Sequence, residues 1–386
     1  MIAWPDTPIR NSSFAIRQRE ALFITHPVFR RPGFGRHHPL STSRQAALLE
    51  VCETLGWLPP ERQRIAPLAD RPLLERFHAP HYLDALEAAC ESMTASPEVR
   101  ERYNIGTMEC PLFEGLWERA CASVGGSVLA ARLALDGVVT FHPGGGTHHG
   151  RPDRASGFCF FNDPVFAIQT LLDGGIKRLL YVDLDAHHGD GVQDAFAEDE
   201  RVFFFSIHEA GRWPGTGALD DSLDGRACNV PVPRGVTDAE YKLVVETLLT
   251  PMLQRVCPEA VVVTLGADAL AGDPLSAMQL SNRTLWVATE LCVAHAAAAV
   301  VLGGGGYNPW TTARLWAGMW ARLSGQTIPP TLPHAARITL STLTCDLVDD
   351  EDREPHWTST IADPQSRESV AVRQQMLDIV ARCRPE

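Results

Sequence analysis

The sequence has no CxxC pair, no apolar run long enough to cross a membrane and no excess of basic residues. Its ten cysteines are scattered at 52, 90, 110, 121, 159, 228, 257, 292, 345 and 383. Unpaired spacing of this kind, often inside apolar stretches, reads as reduced and mostly buried thiols of a cytoplasmic protein. The longest hydrophobic stretches are broken by charges or glycines within a few residues, so no membrane partner is expected. Residues 1–6 lack a basic segment followed by an apolar one, so no secretion signal is expected either. The 34 basic residues stand against 47 acidic ones, a formal charge of −13, which argues against direct binding of nucleic acid. Two glycine runs, 144–150 and 303–308, lack both the Lys-Ser/Thr of a P-loop and the GxGxxG spacing. A phosphate cradle is a poor reading of either. There is no internal repeat and no low-complexity tract.

What is present is the composition of a globular protein, 45% hydrophobic and 21% charged over 386 residues. Residues 1–44 read as loops with short strands, and 45–135 as mainly helical, with helices at 45–55, 82–93 and 116–135. Beyond that point short apolar runs at 138–141, 178–182, 202–207, 260–265 and 297–302 alternate with helical stretches at 164–172, 238–257 and 281–296. Strands apolar throughout and separated by helices predict an α/β protein whose parallel sheet is covered on both faces. Residues 346–354 read as an acidic solvated loop and 366–382 as a terminal amphipathic helix. The expected division is a catalytic domain over 1–335 and a C-terminal extension over 336–386.

The polar residues of interest all follow such strands, where an open α/β sheet collects its ligands. After 178–182 comes Asp183-Leu184-Asp185-Ala186-His187-His188-Gly189-Asp190. On extended chain, residues two apart share a side, so Asp183, Asp185 and His187 point together. Carboxylate plus imidazole suits zinc or ferrous iron. Asp268, after the run 260–265, is the candidate third ligand, although such an Asp taken alone reads as a helix cap. For the whole run the functional reading is better, because five ionisable groups in eight residues after a buried strand need a metal or paired partners. His148-His149 follows a glycine turn that leaves room for a ligand, and the surplus carboxylates Asp183 and Asp190 can orient imidazoles. Tyr307, directly after four glycines, suits a hydroxyl that stabilises an oxyanion. Its plain alternative is a tyrosine packed under a turn.

Five ordered stretches resemble the histone deacetylase superfamily: GGGTHHG with RASGFCFFN (144–150, 154–162), YVDLDAHHGDGVQDAF (181–196), WPGTG (213–217), LGADALAGDP (265–274) and GGGGYN (303–308). That family includes lysine deacetylases, bacterial acetoin-utilisation proteins and acetylpolyamine amidohydrolases, and shares its fold with arginases. The resemblance runs from about His38 to Trp320. It implies a three-layer α/β/α fold around a mostly parallel eight-stranded sheet. It implies a hydrolase removing acetyl or short acyl groups from the ε-amine of lysine, with Asp185, His187 and Asp268 as the metal ligands. It pairs His148 with Asp183 and His149 with Asp190 to activate water, and makes Tyr307 the carbonyl-polarising hydroxyl. Gly157 would accept the substrate amide N–H, while Phe158 and Trp213 would wall an acyl-lysine tunnel. Structural potassium would lie at Asp183, Asp185, His187, Ser206 and Ile207, and again at Phe196, Asp199 and Val202. Arg44 matches the arginine of a cavity behind the metal.

Four departures bear on substrate. Glu109 stands where many lysine deacetylases have an Asp that grips the substrate backbone. Trp213 replaces a tunnel Phe, Thr147 precedes the histidine pair, and Leu275 replaces the gatekeeping Glu of a polyamine-selective relative. The expected partner is an acylated lysine or other acylated amine, with a homo-oligomer left open. Competing readings are an acetylpolyamine amidohydrolase, a two-metal ureohydrolase and a non-catalytic acyl-lysine reader.

Overall fold

The computed structural model describes residues 19–35, 38–41, 43–365 and 371–383. The expectations for residues 1–6 and for the start of the 366–382 helix fall outside them. Eight strands form one sheet: β1 (Ala21–Thr25), β2 (Gln63–Ile65), β3 (Val139–His142), β4 (Leu179–Asp183), β5 (Val202–Glu209), β6 (Ala227–Val232), β7 (Ala260–Thr264) and β8 (Ala298–Leu302). Their order is β2-β1-β3-β8-β7-β4-β5-β6, and every pair is parallel. β4, β7 and β8 are buried along their whole length, as strands covered on both faces must be. This is the α/β sheet the alternation predicted. β2 and β6 escape a hydrophobicity reading for a physical reason: one is a three-residue edge strand with two polar residues, Gln63 and Arg64, the other carries Asn229 and Pro231.

Helices cover both faces. Those at Leu116–Leu135 and Asp163–Asp173 pack together on one side, while Arg44–Thr54, Asn282–Ala294 and Pro309–Ser324 contribute to the other. The segment expected to be helical over 238–257 is two α-helical turns at each end joined by a π-helical stretch, Val245–Leu249. Helix Pro309–Ser324 was not legible from periodicity. It is buried on nearly every side, its polar Thr311, Thr312 and Arg314 included, and Trp310, Trp316 and Trp320 lie wholly inside. Its start is nonetheless set locally, by the Asn308 side chain accepting from Trp310 and Thr311 N–H and by Pro309 at the first turn.

The C-terminal extension belongs to the same core. Leu332, Ala336, Leu340, Trp357, Ile361, Met376 and Val380 join the main buried cluster, and residue 335 lies inside helix His334–Ser341. The terminal helix, Gln374–Cys383, is held at its start by Arg373 on the Glu240 carboxylate (2.6 and 2.7 Å). A deeper latch is Asp363, which accepts from Asn282 N–H (2.8 Å) and pairs with Arg314 (2.7 Å), a guanidinium only 1% exposed. No helix among the described residues is long and apolar enough to cross a membrane.

Burial opposes ionisation of Asp363, but Arg314 and His356 outweigh it and bring its pKa down to about 2. A depressed carboxyl contributes stability above its unfolded value of about 3.9, and that contribution fades as pH falls toward 2. Asp363→Ala should cost about 3–5 kcal/mol at neutral pH, because it strands a buried guanidinium. The difference between wild type and variant in denaturant melts should shrink between about pH 4 and 2. A pH-independent difference would contradict this assignment.

Candidate active site

The central strands β3, β8, β7 and β4 are neighbours, and each ends in one polar loop. β3 leads to His148 and His149, β4 to Asp183–Asp190, β7 to Asp268 and β8 to Tyr307. Sheet order thus brings four distant segments to one rim.

At the bottom lie Asp185, His187 and Asp268, all buried, with one ligand atom of each within 4.8 Å of the others. His187 Nδ1 sits 2.9 Å from Asp268 Oδ2 and 3.2 Å from Asp185 Oδ1. Backbone N–H groups aim the carboxylates: Gly305 donates to Asp185 (2.6 Å) and Ala186 to Asp268 (3.0 Å). Glycine is required here because a Cβ at Gly305 would come within 2.1 Å of Asp268 Oδ2. Burial and the Asp185 charge push the Asp268 carboxyl up to about 6. Two buried carboxylates this close oppose one another's ionisation unless a cation sits between them. An O,N,O donor set of this kind fits a divalent first-row metal.

Both histidines of the pair donate from Nδ1 to a carboxylate, His148 to Asp183 (2.7 Å) and His149 to Asp190 (2.8 Å). In the neutral ring this leaves Nε2 with its lone pair free, and in the charged ring Nε2 is a donor; His148 Nε2 lies 3.8 Å from Asp185 Oδ1. The two environments differ. Burial works against charge on His148, but Asp183 and Asp185 outweigh it and hold the imidazole at about 9. For His149 burial wins, aided by repulsion from His148, and the pKa falls to about 3. Asp190 supports His149 less because Arg151 is paired with its other oxygen.

Above them a cavity of about 680 Å³ is lined by His149, Gly157, Phe158, His187, Trp213 and Tyr307, with Glu109 and Leu275 also on its walls. The Trp213 ring meets His149 edge-on at 4.7 Å, and Phe158 meets Tyr307 at 5.9 Å. Gly157 is in the left-handed region (φ 54°), and a Cβ there would strike Trp213 at 2.4 Å. Its carbonyl accepts from the Cys159 thiol (3.2 Å), a weak donor that leaves capacity for a further N–H. Glu109 does not stand free at the rim. One oxygen accepts from Gly157 N–H (2.5 Å) and the other from the Asn104 amide (3.1 Å). Thr147 is likewise engaged, its hydroxyl on the Phe161 carbonyl (2.7 Å). Behind the metal ligands, Arg44 donates to the Gly304 (3.0 Å) and Gly306 (2.8 Å) carbonyls, lies over Trp316 and lines a second, smaller cavity.

Several residues that position this site were not singled out by the sequence. Asp273 accepts from Tyr307 N–H (2.7 Å) and Leu275 N–H (2.9 Å), joining the tyrosine loop to the rim. Asp163 accepts from Gly146 (3.0 Å) and Thr147 (2.8 Å) N–H, shaping the turn before the histidines. Tyr181 donates to Asp183 (2.8 Å). Asp273 lies within the quoted 265–274 stretch and Tyr181 within 181–196; only their bonding was illegible.

The two potassium groups fare differently. Asp183 pairs in register with Ser206 across β4 and β5, and Glu209 N–H returns to the Ala186 carbonyl (2.9 Å), so Asp183, Asp185, His187, Ser206 and Ile207 do gather at one place. This oxygen-rich group fits an alkali cation. At Phe196, Asp199 and Val202 the geometry disagrees with the expectation. The guanidinium of Arg226 donates to the carbonyls of Asp199 (3.2 Å), Val202 (3.3 Å) and Ala197, and Phe196 O accepts from Asp199 N–H (3.0 Å). The chain's own cation thus engages two of the three carbonyls expected to hold the ion. Arg226→Gln should lower stability by about 1.5–3 kcal/mol, with KCl restoring more of the loss than NaCl in thermal melts. Equal melting of variant and wild type in both salts would contradict that role.

With this geometry in place, known proteins can be set beside it. Residues 38–323 match the model of the histone deacetylase domain. Histone deacetylase 6 of Arabidopsis thaliana is 35% identical over 314 residues, which are 78% of this chain and 65% of that protein. The acetoin utilization protein AcuC of Bacillus subtilis is 32% identical over 333 residues, 81% of this chain and 85% of that one. The crystal structure of a histone deacetylase homologue from Aquifex aeolicus superposes with a TM-score of 0.89 at 31% identity, covering 95% of this chain and all of its own. The five motifs, the all-parallel sheet and the site at its rim agree with these likenesses, and the chain belongs to the histone deacetylase family.

Proposed function

We propose that the protein is a zinc-dependent deacylase acting on the ε-amine of acylated lysine, in a protein, a peptide or a small molecule. One observation carries this reading. An Asp-His-Asp cradle, two carboxylate-backed imidazoles and a tyrosine meet at the end of a cavity of about 680 Å³ walled by Phe158 and Trp213. Asp185, His187 and Asp268 would hold the zinc, which would supply a Lewis acid for the amide carbonyl and lower the pKa of water; ferrous iron is a second candidate.

The chain's own groups do the rest. Phe158 and Trp213 flank the alkyl stem and exclude water, and the Gly157 carbonyl takes the amide N–H. The Tyr307 hydroxyl has no hydrogen-bond partner among the described residues, and burial keeps it protonated. It can therefore donate to the carbonyl oxygen as negative charge develops there. Neutral His149 presents Nε2 to take a proton from water, while Asp183 favours charge on His148, so an imidazolium is at hand to protonate the leaving amine. The products are a short carboxylate and a free amine. Of the carboxylates at the mouth, Glu209 is neutralised by Arg212 and Glu109 is turned toward Gly157 N–H and the Asn104 amide, while Leu275 is apolar. The polyamine reading therefore lacks an observation in its favour. Ten free thiols, of which five are buried, suit a reducing cytoplasm.

Turnover of acetyl-, propionyl-, butyryl- and trifluoroacetyl-lysine peptides beside acetylated polyamines tests the substrate. Tyr307→Phe should lose about 10²–10³-fold in kcat and His149→Ala about 10²–10⁴-fold, each with metal content near wild type. Asp268→Ala should lose the metal. Wild-type rates in the first two variants, or an absence of turnover on every acyl-lysine, would refute the proposal.

A further inference from the structure

Accepting the deacylase reading, we infer that the mouth of the tunnel selects acyl amines carrying a carboxylate on the amine side, and that Arg234 is the residue that does so. The cavity that reaches His149, His187 and Tyr307 also contains four charged side chains nearer solvent: Glu109, Glu209, Arg212 and Arg234. Three of them are spent within the protein. Glu209, 3% exposed, is held by Arg212 through both oxygens (2.8 and 2.9 Å) and by Ala277 N–H (2.7 Å). Arg212 also donates to the Leu275 carbonyl. Glu109 is taken up by Gly157 and Asn104.

Arg234 differs. Its guanidinium is exposed and makes no hydrogen bond or ion pair among the described residues. Its backbone, by contrast, is tied down. The Arg234 carbonyl accepts from Arg373 (2.9 Å), and the next residue, Gly235, donates to the Ala277 carbonyl (2.9 Å). The base of the side chain is thus anchored to the same 275–277 segment that carries Leu275 at the rim. Arg212 and Glu209 form the ion pair of this wall, so Arg234 is its one cation without an ion-pair partner among the described residues, while the Glu109 carboxylate is held by neutral donors at Gly157 and Asn104. A guanidinium pairs with a carboxylate in bidentate fashion, and it repels an ammonium in the same place. Free acyl-lysine, a C-terminal acyl-lysine or an acyl-lysine followed by an acidic residue meets this requirement. An acylated polyamine does not.

An exposed pair of this kind is worth little, so the effect is expected to be modest and sensitive to salt. The substrates are Nα-benzoyl-Nε-acetyl-lysine and its C-terminal amide, which differ in one charge, with N-acetylputrescine as the cationic case. Wild type should prefer the carboxylate over the amide by about two- to fivefold in kcat/KM at low salt. Arg234→Gln should bring that ratio close to one, and Arg234→Glu should invert it and improve N-acetylputrescine relative to both. The same ratio is read without turnover by calorimetric binding to Tyr307→Phe, with and without Arg234→Gln. A carboxylate-to-amide binding ratio unchanged by Arg234→Gln overturns the inference whatever the rates. Charge-dependent binding without hydrolysis by the wild type would support it and refute the deacylase reading instead.

Discussion

The constraint on which the rest depends is the placing of Asp185 and Asp268 side by side, without solvent, at the ends of two adjacent buried strands. Each buried ion costs several kcal/mol unless it is compensated. The fold meets this cost with backbone dipoles first, from Gly305 and Ala186, and with the His187 imidazole second. Neither removes the mutual repulsion that raises Asp268. What is left is a demand for a cation at one point, and that demand is the catalytic resource. Arg44 adds favourable charge from behind, but its Nη1 hydrogen bonds go to the glycine-loop carbonyls and not to either carboxylate.

That loop shows how the demand shapes local structure. A side chain at Gly266 would come within 2.3 Å of Asp185 Oδ2, one at Gly305 would strike Asp268, and one at Gly303 would strike the Pro143 carbonyl at 2.4 Å. Backbone is packed where most proteins place side chains. The four glycines in a row are therefore a steric consequence of crowding, by the two carboxylates at Gly304 and Gly305 and by neighbouring chain at Gly303 and Gly306. The glycine run that precedes the histidines is crowded for the same reason, with Gly146 against Gly303.

These relations explain what was legible beforehand. First-row ligands and acid–base groups come from residue types rare in buried α/β turns, so Asp185, His187, Asp268, His148, His149 and Tyr307 stood out in the sequence. The parallel sheet was legible because its strands are apolar from end to end. Residues that act by hydrogen-bonding backbone were not, since an Asp such as 163 or 273 looks the same whether it caps a helix or shapes a catalytic turn. Helix Pro309–Ser324 was hidden by its complete burial. The Arg226 substitution for a potassium ion was hidden because its partners are carbonyls, which every residue has. The Glu109 carboxylate was expected at the substrate rim, and it does line the cavity; its bond to Gly157 N–H was not legible, because a backbone partner leaves no mark in the sequence.

Charge compensation becomes looser from the floor of the cavity outward, and the order has a mechanistic sense. At the floor the groups are buried and bonded at 2.6–3.2 Å, which holds reacting atoms in place. Midway, Asp190 divides its charge between His149 and Arg151, so one imidazole stays neutral and available as a base. Farther out, Glu209 and Arg212 cancel within the wall, and only Arg234 remains open. A group at the floor that was free to choose partners would blur the chemistry. A group at the mouth that was already paired would have no means of distinguishing one amine from another. On the proposed reading, the gradient separates the reaction, set by enclosed and saturated groups, from the choice of substrate, set by the side chains left without an ion-pair partner at the entrance.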